Sequence, residues 1–171
     1  MAALAAEQLV TMTPDTRVGF IGTGRINLST AETFKVLFGT REFVATGSPN
    51  AETKNIRAFN GITLTFADSR EFGLTKIREC EVLISCTTAA TNEEECFDYS
   101  DLSGPKVFIA HDSGYIFGKT FRDELKSFCD MPEQLINHWE NEFPWDKGSK
   151  WSGISGQLGE ISFTSTRMSA G

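Results

Sequence analysis

Two closely spaced glycines near the amino terminus are the residues whose spacing best suits phosphate binding. Gly22 and Gly24 follow a short apolar run, Arg17 to Ile21, and precede a stretch without glycine or proline, Arg25 to Phe38. This order predicts a strand, a glycine turn and a helix whose free N–H groups can bind a pyrophosphate. The third glycine of the G-x-G-x-x-G pattern is replaced by Asn27. The pattern therefore predicts a dinucleotide-binding turn, although a plain strand–helix turn has the same outline.

The residues expected to contact the phosphates are those of this turn and of the first helical turn beyond it. They are Gly22, Thr23, Gly24, Arg25, Ile26 and Asn27. The side chain of Asn27 can either cap the helix or help to hold phosphate. In open α/β sheets the ligand lies beyond the carboxyl ends of the strands, so the ends of the other strands supply the remaining candidates.

The end of the second predicted strand bears on the choice of cofactor. Enzymes specific for NAD usually carry an Asp or Glu about 20 residues beyond the glycines, where it binds the ribose hydroxyls. Here the sequence has Gly47-Ser-Pro-Asn50 and no carboxylate. Ser48 and Asn50 can donate hydrogen bonds instead. The cofactor is therefore expected to be NAD or NADP, with NADP slightly favoured, while a capped turn explains the same residues equally well.

Small hydroxyl residues follow the apolar strand predicted at residues 82–86. Thr87 and Thr88 are positioned so that their hydroxyls can face the nicotinamide ribose. The alternative is that they are small residues that pack under the next helix. Both interpretations stay open at the level of the sequence.

A histidine and an aspartate follow the strand predicted at residues 107–110. His111 and Asp112 can transfer protons at that position, with Asp112 as the base or as a relay. The alternative is a strand end that simply turns at aspartate and glycine. No serine–histidine–acid triad can be assigned from the sequence.

Strands and helices alternate along most of the chain, and these elements must position the candidate residues. Strands are predicted at 17–21, 42–46, 62–66, 82–86 and 107–110, and helices at 27–38, 49–59 and 71–79. A brief strand at 127–130, a helix from 132, a loop at 144–159 and a strand at 160–164 are predicted to follow. Apolar strands without alternation suit a parallel sheet covered on both faces. We therefore predict an α/β fold with a doubly wound, mainly parallel sheet of Rossmann type and helices on both faces.

The composition favours one globular domain and excludes several classes of protein. The chain has 171 residues, of which 40% are hydrophobic, and a net charge of -7. This charge argues against a general nucleic-acid surface, and no apolar run is long enough to cross a membrane. The four cysteines show no C-x-x-C spacing and only two histidines are present, so no metal site is expected. A cytoplasmic location with reduced thiols is the prediction.

Three segments are predicted from this organisation. Residues 1–16 form a leader or a helix, and residues 17–143 form the NAD(P)-binding domain. Residues 144–171 supply a loop and a return strand, which belong to the same domain or lead to a separate substrate domain.

Several motifs together resemble the ornithine cyclodeaminase / mu-crystallin family. Gly22-Thr-Gly24-Arg-Ile-Asn27 is similar to the family's G-x-G-x-Q turn, with Asn in place of Gln. Ile84-Ser-Cys-Thr-Thr88 resembles its threonine-containing fourth strand end. The segment from His111-Asp112 to Asp123-Glu-Leu125 resembles the stretch after its fifth strand, without the family's proline. Gly159 to Arg167 resembles its return strand.

The resemblance implies hydride transfer between NAD(P) and an amino acid or a cyclic imine. It implies a catalytic role for Asp112, with Thr87 and Thr88 at the nicotinamide end. Family members carry a long amino-terminal stretch that builds most of a substrate and dimerisation domain, whereas 16 residues precede the first predicted strand here. The chain is thus expected to correspond to the nucleotide-binding domain of a homodimeric parent protein. A non-catalytic NAD(P)-binding module is the alternative.

Overall fold

The structure, a computed structural model, describes the greater part of the chain. It covers residues 1–22, 24–46, 57–59, 62–66, 70–87, 96–112, 116–117, 119–125, 127–129, 131, 133–134, 137 and 154–157. The helices are α1 (Ala2–Leu9), α2 (Arg25–Phe38), α3 (Arg70–Arg78) and α4 (Lys119–Glu124), and a 3-10 helix spans Tyr99–Leu102. The strands are β1 (Val18–Ile21), β2 (Phe43–Thr46), β3 (Arg57–Phe59), β4 (Ile62–Phe66), β5 (Val82–Ser85), β6 (Val107–Ala110), β7 (Ser127–Cys129) and β8 (Ile154–Gln157).

In the described part of the chain, six strands form one sheet in the order β3-β4-β2-β1-β5-β6. Strand β1 pairs in parallel with β2 and β5, and the parallel pairing continues from β2 to β4 and from β5 to β6. Only β3 runs antiparallel to its neighbour within this sheet. The connection from β1 to β2 moves one way across the sheet and that from β4 to β5 moves the other way. Right-handed crossovers therefore place α2 and α3 on opposite faces, which confirms the predicted doubly wound fold.

The centre of the sheet is buried on both faces, as the uninterrupted apolar runs predict. All four residues of β1 and all four of β5 are buried. Helix α2 covers one face with Asn27, Ala31 and Phe34, which share one side of the helix because they are spaced four and three residues apart. Burial of a side chain such as Phe34 contributes about 1.5–3 kcal/mol. Ala2, Ala3 and Ala6 of α1 belong to the same core cluster.

The sequence predictions fail at three places in the described ranges. Helix α2 begins at Arg25, two residues earlier than predicted. Residues 57–59 of the predicted helix 49–59 form β3, which is paired with β4 through Phe59 and Ile62. Residues 154–157 of the predicted loop form β8. The rest of the predicted helix up to residue 56, and the strand predicted at 160–164, lie outside the described residues.

The chain divides into two compact units, Met1–Phe121 and Arg122–Gly171. The first unit contains the six-stranded sheet. In the second, β7 and β8 pair in parallel with a register irregularity between Ser127 and Phe128. Residues 133, 134 and 137 are helical there, in agreement with the helix predicted from residue 132. Within the described ranges, no helix combines the length and the apolar character needed to cross a bilayer.

An arginine ties together the starts of three strands at the amino edge of the sheet. Arg17 Nε lies 2.7 Å from Glu42 Oε2, and Arg17 Nη1 lies 3.2 Å from Glu79 Oε2. The backbone N–H of Arg17 donates to Glu81 at 2.7 Å. Hydrogen bonding to Glu42 is the main cause that raises the pKa of Arg17 above its ordinary value. This edge holds β1, β2 and β5 together and lies opposite the strand ends that carry the candidate site.

Cys80 lies under the central strand and offers a test of the packing. Its side chain is 2% exposed, and a Cβ built at Gly19 would lie 3.2 Å from its Sγ. Burial, helped by the charge of Glu81, raises the pKa of the Cys80 thiol from 9.0 to about 12. Because the pKa of this thiol is higher in the folded state than in the unfolded state, its contribution to stability is fully present below pH 9.0. This contribution is lost as the pH rises from 9.0 to about 12.

We expect the free energy of unfolding to fall as the pH rises above about 9, and to fall less steeply in Cys80→Ala than in the wild type. The physical reason is that only the unfolded state readily ionises this thiol. Denaturant unfolding at several alkaline pH values measures both slopes. Identical slopes for the two proteins would contradict the assignment of this pH dependence to Cys80.

Candidate functional site

Gly22 makes a turn that only glycine fits, at the end of β1. Its φ is +93°, and its N–H donates to the carbonyl of Thr46 at 2.7 Å. A Cβ at this position would lie 2.5 Å from the carbonyl oxygen of Cys86 and 3.1 Å from Thr87 Cγ2. The carboxyl ends of β1, β2 and β5 therefore meet here, next to the point where the strand order reverses between β1 and β5. In such folds this switch point is where ligands bind.

Gly24 begins α2 and borders open space. It is the N-cap residue, with φ -65°, and no heavy atom of the described residues lies within 4 Å of where its Cβ would be. The first helical hydrogen bond is donated by Leu28 to the carbonyl of Gly24 at 3.2 Å. The N–H groups at positions 25 to 27 precede that bond, so they have no acceptor within the helix. Unfilled space beside free N–H groups at a helix start suits an anion.

The side chain of Asn27 stabilises the turn through hydrogen bonds to its backbone. Its side chain is buried, and its Nδ2 donates to the carbonyls of Ile21 at 3.0 Å and Gly22 at 2.9 Å. The predicted capping role is wrong, because Gly24 is the N-cap and Asn27 lies inside the first helical turn. Among the described residues the buried Oδ1 has no hydrogen-bond partner. Since both donors of the amide are directed to carbonyls, the backbone N–H is what Asn27 can offer to an anion.

Asp112 joins the ends of β5 and β6. Its Oδ1 accepts a hydrogen bond from Ser85 Oγ at 2.9 Å. Its Oδ2 accepts from the backbone N–H of Thr87 at 2.9 Å and from Thr87 Oγ1 at 3.3 Å. The sequence does not predict Ser85 as a partner, because no local pattern indicates a contact between residues 27 positions apart. The carboxylate thus holds the segment that carries one of the predicted nicotinamide contacts.

His111 lies beside α2 rather than in that hydrogen-bond network. Its backbone N–H donates to the backbone carbonyl of Ser85 at 2.9 Å, and its Nε2 lies 3.4 Å from Thr30 Oγ1. Partial burial of the ring is the main cause that lowers the pKa of His111. The positive amino-terminal group lowers it further and Asp112 opposes the shift. A lowered pKa favours the neutral imidazole, which can accept a proton.

The structure brings several predicted site residues to one edge of the sheet and leaves others undescribed. Gly22 lies against the segment of Cys86 and Thr87, and Thr87 is bonded to Asp112. Arg25 and Ile26 are exposed at the start of α2, Ile26 by 55%. Thr23, Ser48, Asn50 and Thr88 lie outside the described residues, so their predicted contacts stay predictions.

Two solved structures are similar to this chain over most of its length. CmnK matches with 19% identity and a TM-score of 0.65, over 92% of this chain and 47% of its own. The Δ1-pyrroline-2-carboxylate reductase of Thermococcus litoralis, solved with NADH and L-proline, matches with 17% identity and a TM-score of 0.56. That match covers 92% of this chain and 50% of the reductase.

The other comparisons find no relative. No protein-family model matches the sequence, and no curated protein matches it. The chain spans about half the length of the solved structures that it matches. At these identities the likeness establishes the fold alone, and that fold is the predicted Rossmann-type α/β fold.

Proposed function

We propose that this chain is the NAD(P)-binding domain of an oxidoreductase similar to ornithine cyclodeaminases or ketimine reductases. Such an enzyme acts on an amino acid or a cyclic imine by hydride transfer. The observation that carries the proposal is the turn of Gly22 and Gly24. It combines a backbone bend closed to any side chain, open space at Gly24 and free N–H groups at the start of α2.

The residues present fit a dinucleotide. The N–H groups of Arg25, Ile26 and Asn27 would bind the pyrophosphate, and the space at Gly24 would admit it. When bound, the nicotinamide supplies or accepts a hydride. Asp112 and His111 would move the accompanying proton, with the neutral form of His111 favoured by its lowered pKa.

The adenosine end would lie beyond β2, where residues 47–50 include Ser48 and Asn50 and no carboxylate. A carboxylate there would bind the ribose hydroxyls of NAD and repel the 2′-phosphate of NADP. The absence of a carboxylate from residues 47–50 supports a preference for NADP.

The substrate class is supported by one of the matched structures. The Thermococcus litoralis reductase was solved with NADH and L-proline, a dinucleotide and a cyclic amino acid. A ligand pair of this kind is what the sequence resemblance implies for the present chain. The substrate domain of the proposed enzyme would be supplied outside the Rossmann-type unit.

A non-catalytic NAD(P)-binding module is the second candidate. The turn of Gly22 and Gly24, which carries the proposal, accounts for nucleotide binding by itself. A nucleotide turn can bind its ligand without a substrate domain, whereas hydride transfer needs a substrate held against the nicotinamide.

Separate titrations of the purified chain with NADPH and with NADH, followed by nicotinamide fluorescence, test the proposal. We expect saturable binding of both, with the tighter binding for NADPH. Consumption of NADPH on addition of Δ1-pyrroline-2-carboxylate would support the enzyme. Binding without consumption would support nucleotide binding for both candidates, because the substrate domain of the proposed enzyme would lie outside this unit. If neither dinucleotide binds at millimolar concentration, the nucleotide-binding proposal is wrong.

A further inference from the structure

We propose that Asp112 is a positioning residue that fixes the segment after β5 against the glycine turn. Through that segment it shapes the nucleotide pocket. The proposal rests on the proposed function for the identity of the ligand, but the contacts that carry it are within the protein. This positioning role differs from proton transfer because it depends on where the two carboxylate oxygens lie and not on their ability to accept a proton.

The carboxylate binds both sides of a three-residue segment. Oδ1 accepts from Ser85 Oγ, and Oδ2 accepts from the N–H and the hydroxyl of Thr87, at distances from 2.9 to 3.3 Å. Cys86, between these two residues, is therefore restrained from both ends by the side chain of Asp112, two residues beyond the end of β6.

The restrained residue is the one that faces the glycine turn. The Cys86 N–H donates to the carbonyl of Ile21 at 3.1 Å, and the Cys86 carbonyl oxygen lies 2.5 Å from the Cβ position of Gly22. Gly22 itself places no side chain between this carbonyl and the turn. A shift of the segment from 85 to 87 would therefore reach Gly22 directly, and with it the start of α2.

Two substitutions of Asp112 separate position from charge. Asp112→Asn keeps the shape, and its Oδ1 can accept from the Thr87 N–H while its Nδ2 donates to Ser85 Oγ. Asp112→Glu keeps the charge but moves the oxygens by one methylene group. A positioning role predicts that Asn substitutes well and Glu poorly in nucleotide binding, whereas a role for the negative charge predicts the reverse. A role in proton transfer alone predicts that neither substitution changes the Kd.

The test measures the Kd of NADH and of NADPH for the full chain and these variants by calorimetric titration. We expect Asp112→Asn to stay within about threefold of the wild type, and Asp112→Glu to bind at least about tenfold more weakly. Asp15→Asn, an exposed aspartate in the turn before β1, is the matched control and should bind as the wild type does. Loss of binding in a folded Asp112→Asn protein, or wild-type affinity in Asp112→Glu, would overturn the proposal.

A second measurement needs no nucleotide and separates the proposal from the proposed function. Hydrogen exchange of the Thr87 amide in the free protein reports the bond to Asp112 directly. We expect protection to persist in Asp112→Asn and to fall at least about tenfold in Asp112→Glu. If both nucleotides fail to bind while this pattern holds, the nucleotide function is wrong and the positioning role stands. Equal protection in all variants would remove the positioning role whatever the ligand. If Asp112→Glu does not fold, Asp112→Asn decides the question. Retained protection of the Thr87 amide and retained nucleotide binding in Asp112→Asn support the positioning role, and their loss contradicts it.

Discussion

Substitution of Gly22 by alanine is expected to lower the free energy of unfolding by about 2–5 kcal/mol, the largest single-residue effect on stability at the candidate site. Two costs add at this position. The backbone has φ +93°, a conformation that side-chain-bearing residues rarely adopt. The added Cβ would also lie 2.5 Å from the Cys86 carbonyl oxygen, a backbone atom that cannot rotate away. Since domains are stable by about 5–15 kcal/mol, the loss would be a large fraction of the total.

Gly24→Ala is the matched control for this prediction, two residues along the same turn. Gly24 has φ -65°, and in the part of the chain that the structure describes a Cβ there meets no atom within 4 Å. The change should cost about 1 kcal/mol or less, through the weaker helix-capping preference of alanine. Urea unfolding followed by circular dichroism measures both proteins against the wild type. Equal losses for the two substitutions would show that the bend at Gly22 is not closed in the way described.

The fold was predictable because its elements carry local patterns. Strands β1 and β5 are short apolar runs, and α2 places Asn27, Ala31 and Phe34 at helical spacing. These patterns are set by burial on one or two faces, so they are visible in the sequence without knowledge of the partners. The glycine turn was predictable for the same reason, since it stands between a predicted strand and a predicted helix.

Strand β3 is an element for which the prediction from local sequence patterns was wrong. Proline at position 49 favoured a helix up to residue 59, but Arg57–Phe59 pairs with β4. The sequence Asn60-Gly61 between the two strands is a dipeptide that favours tight hairpins, and it was the pattern that could have identified this pairing. Strand β8 had no such pattern, because its stabilising partner is β7, more than twenty residues away in sequence.

The candidate site was predictable in its place but not in its bonds. The rule that ligands bind beyond the carboxyl ends of strands directed attention to Gly22, Thr87 and Asp112. That Asp112 accepts hydrogen bonds from Ser85 and Thr87 depends on the pairing of β5 with β6, which aligns Ser85 with Ala110. Register of this kind is a tertiary property, so the positioning role of Asp112 follows from the structure alone.

These bonds link stability and binding at the same turn. Gly22 lies against the segment that Asp112 restrains, and the side chain of Asn27 donates hydrogen bonds to the carbonyls of Ile21 and Gly22. The turn is therefore fixed from two sides before any ligand arrives. A preformed site has less conformational freedom to lose on binding, which favours affinity. It also means that a test of binding must leave these supports in place.

Gly24→Trp meets that requirement and is expected to abolish binding of NADH and NADPH while the protein stays folded. The indole would occupy the open space at the start of α2, which is the space that the pyrophosphate needs. Gly24 contributes no side chain to the core, so the expected loss of stability is only about 1 kcal/mol from the N-cap position. Calorimetric titration measures the Kd without interference from the new indole fluorescence. We expect at least about a hundredfold weaker binding, equivalent to about 2.7 kcal/mol.

Gly39→Asn, at the other end of the same helix, is the control for this substitution. Gly39 has φ +70° as the C-cap of α2, a conformation that asparagine tolerates, and the nearest atom to its Cβ position is 3.5 Å away. Its dinucleotide affinity should equal that of the wild type, because the change leaves the start of the helix untouched. Wild-type affinity in Gly24→Trp would mean that the dinucleotide does not use this turn. A loss of equal size in Gly39→Asn would point to the helix as a whole and not to the space at Gly24. Only loss in the first variant and retention in the second place the pyrophosphate at the start of α2.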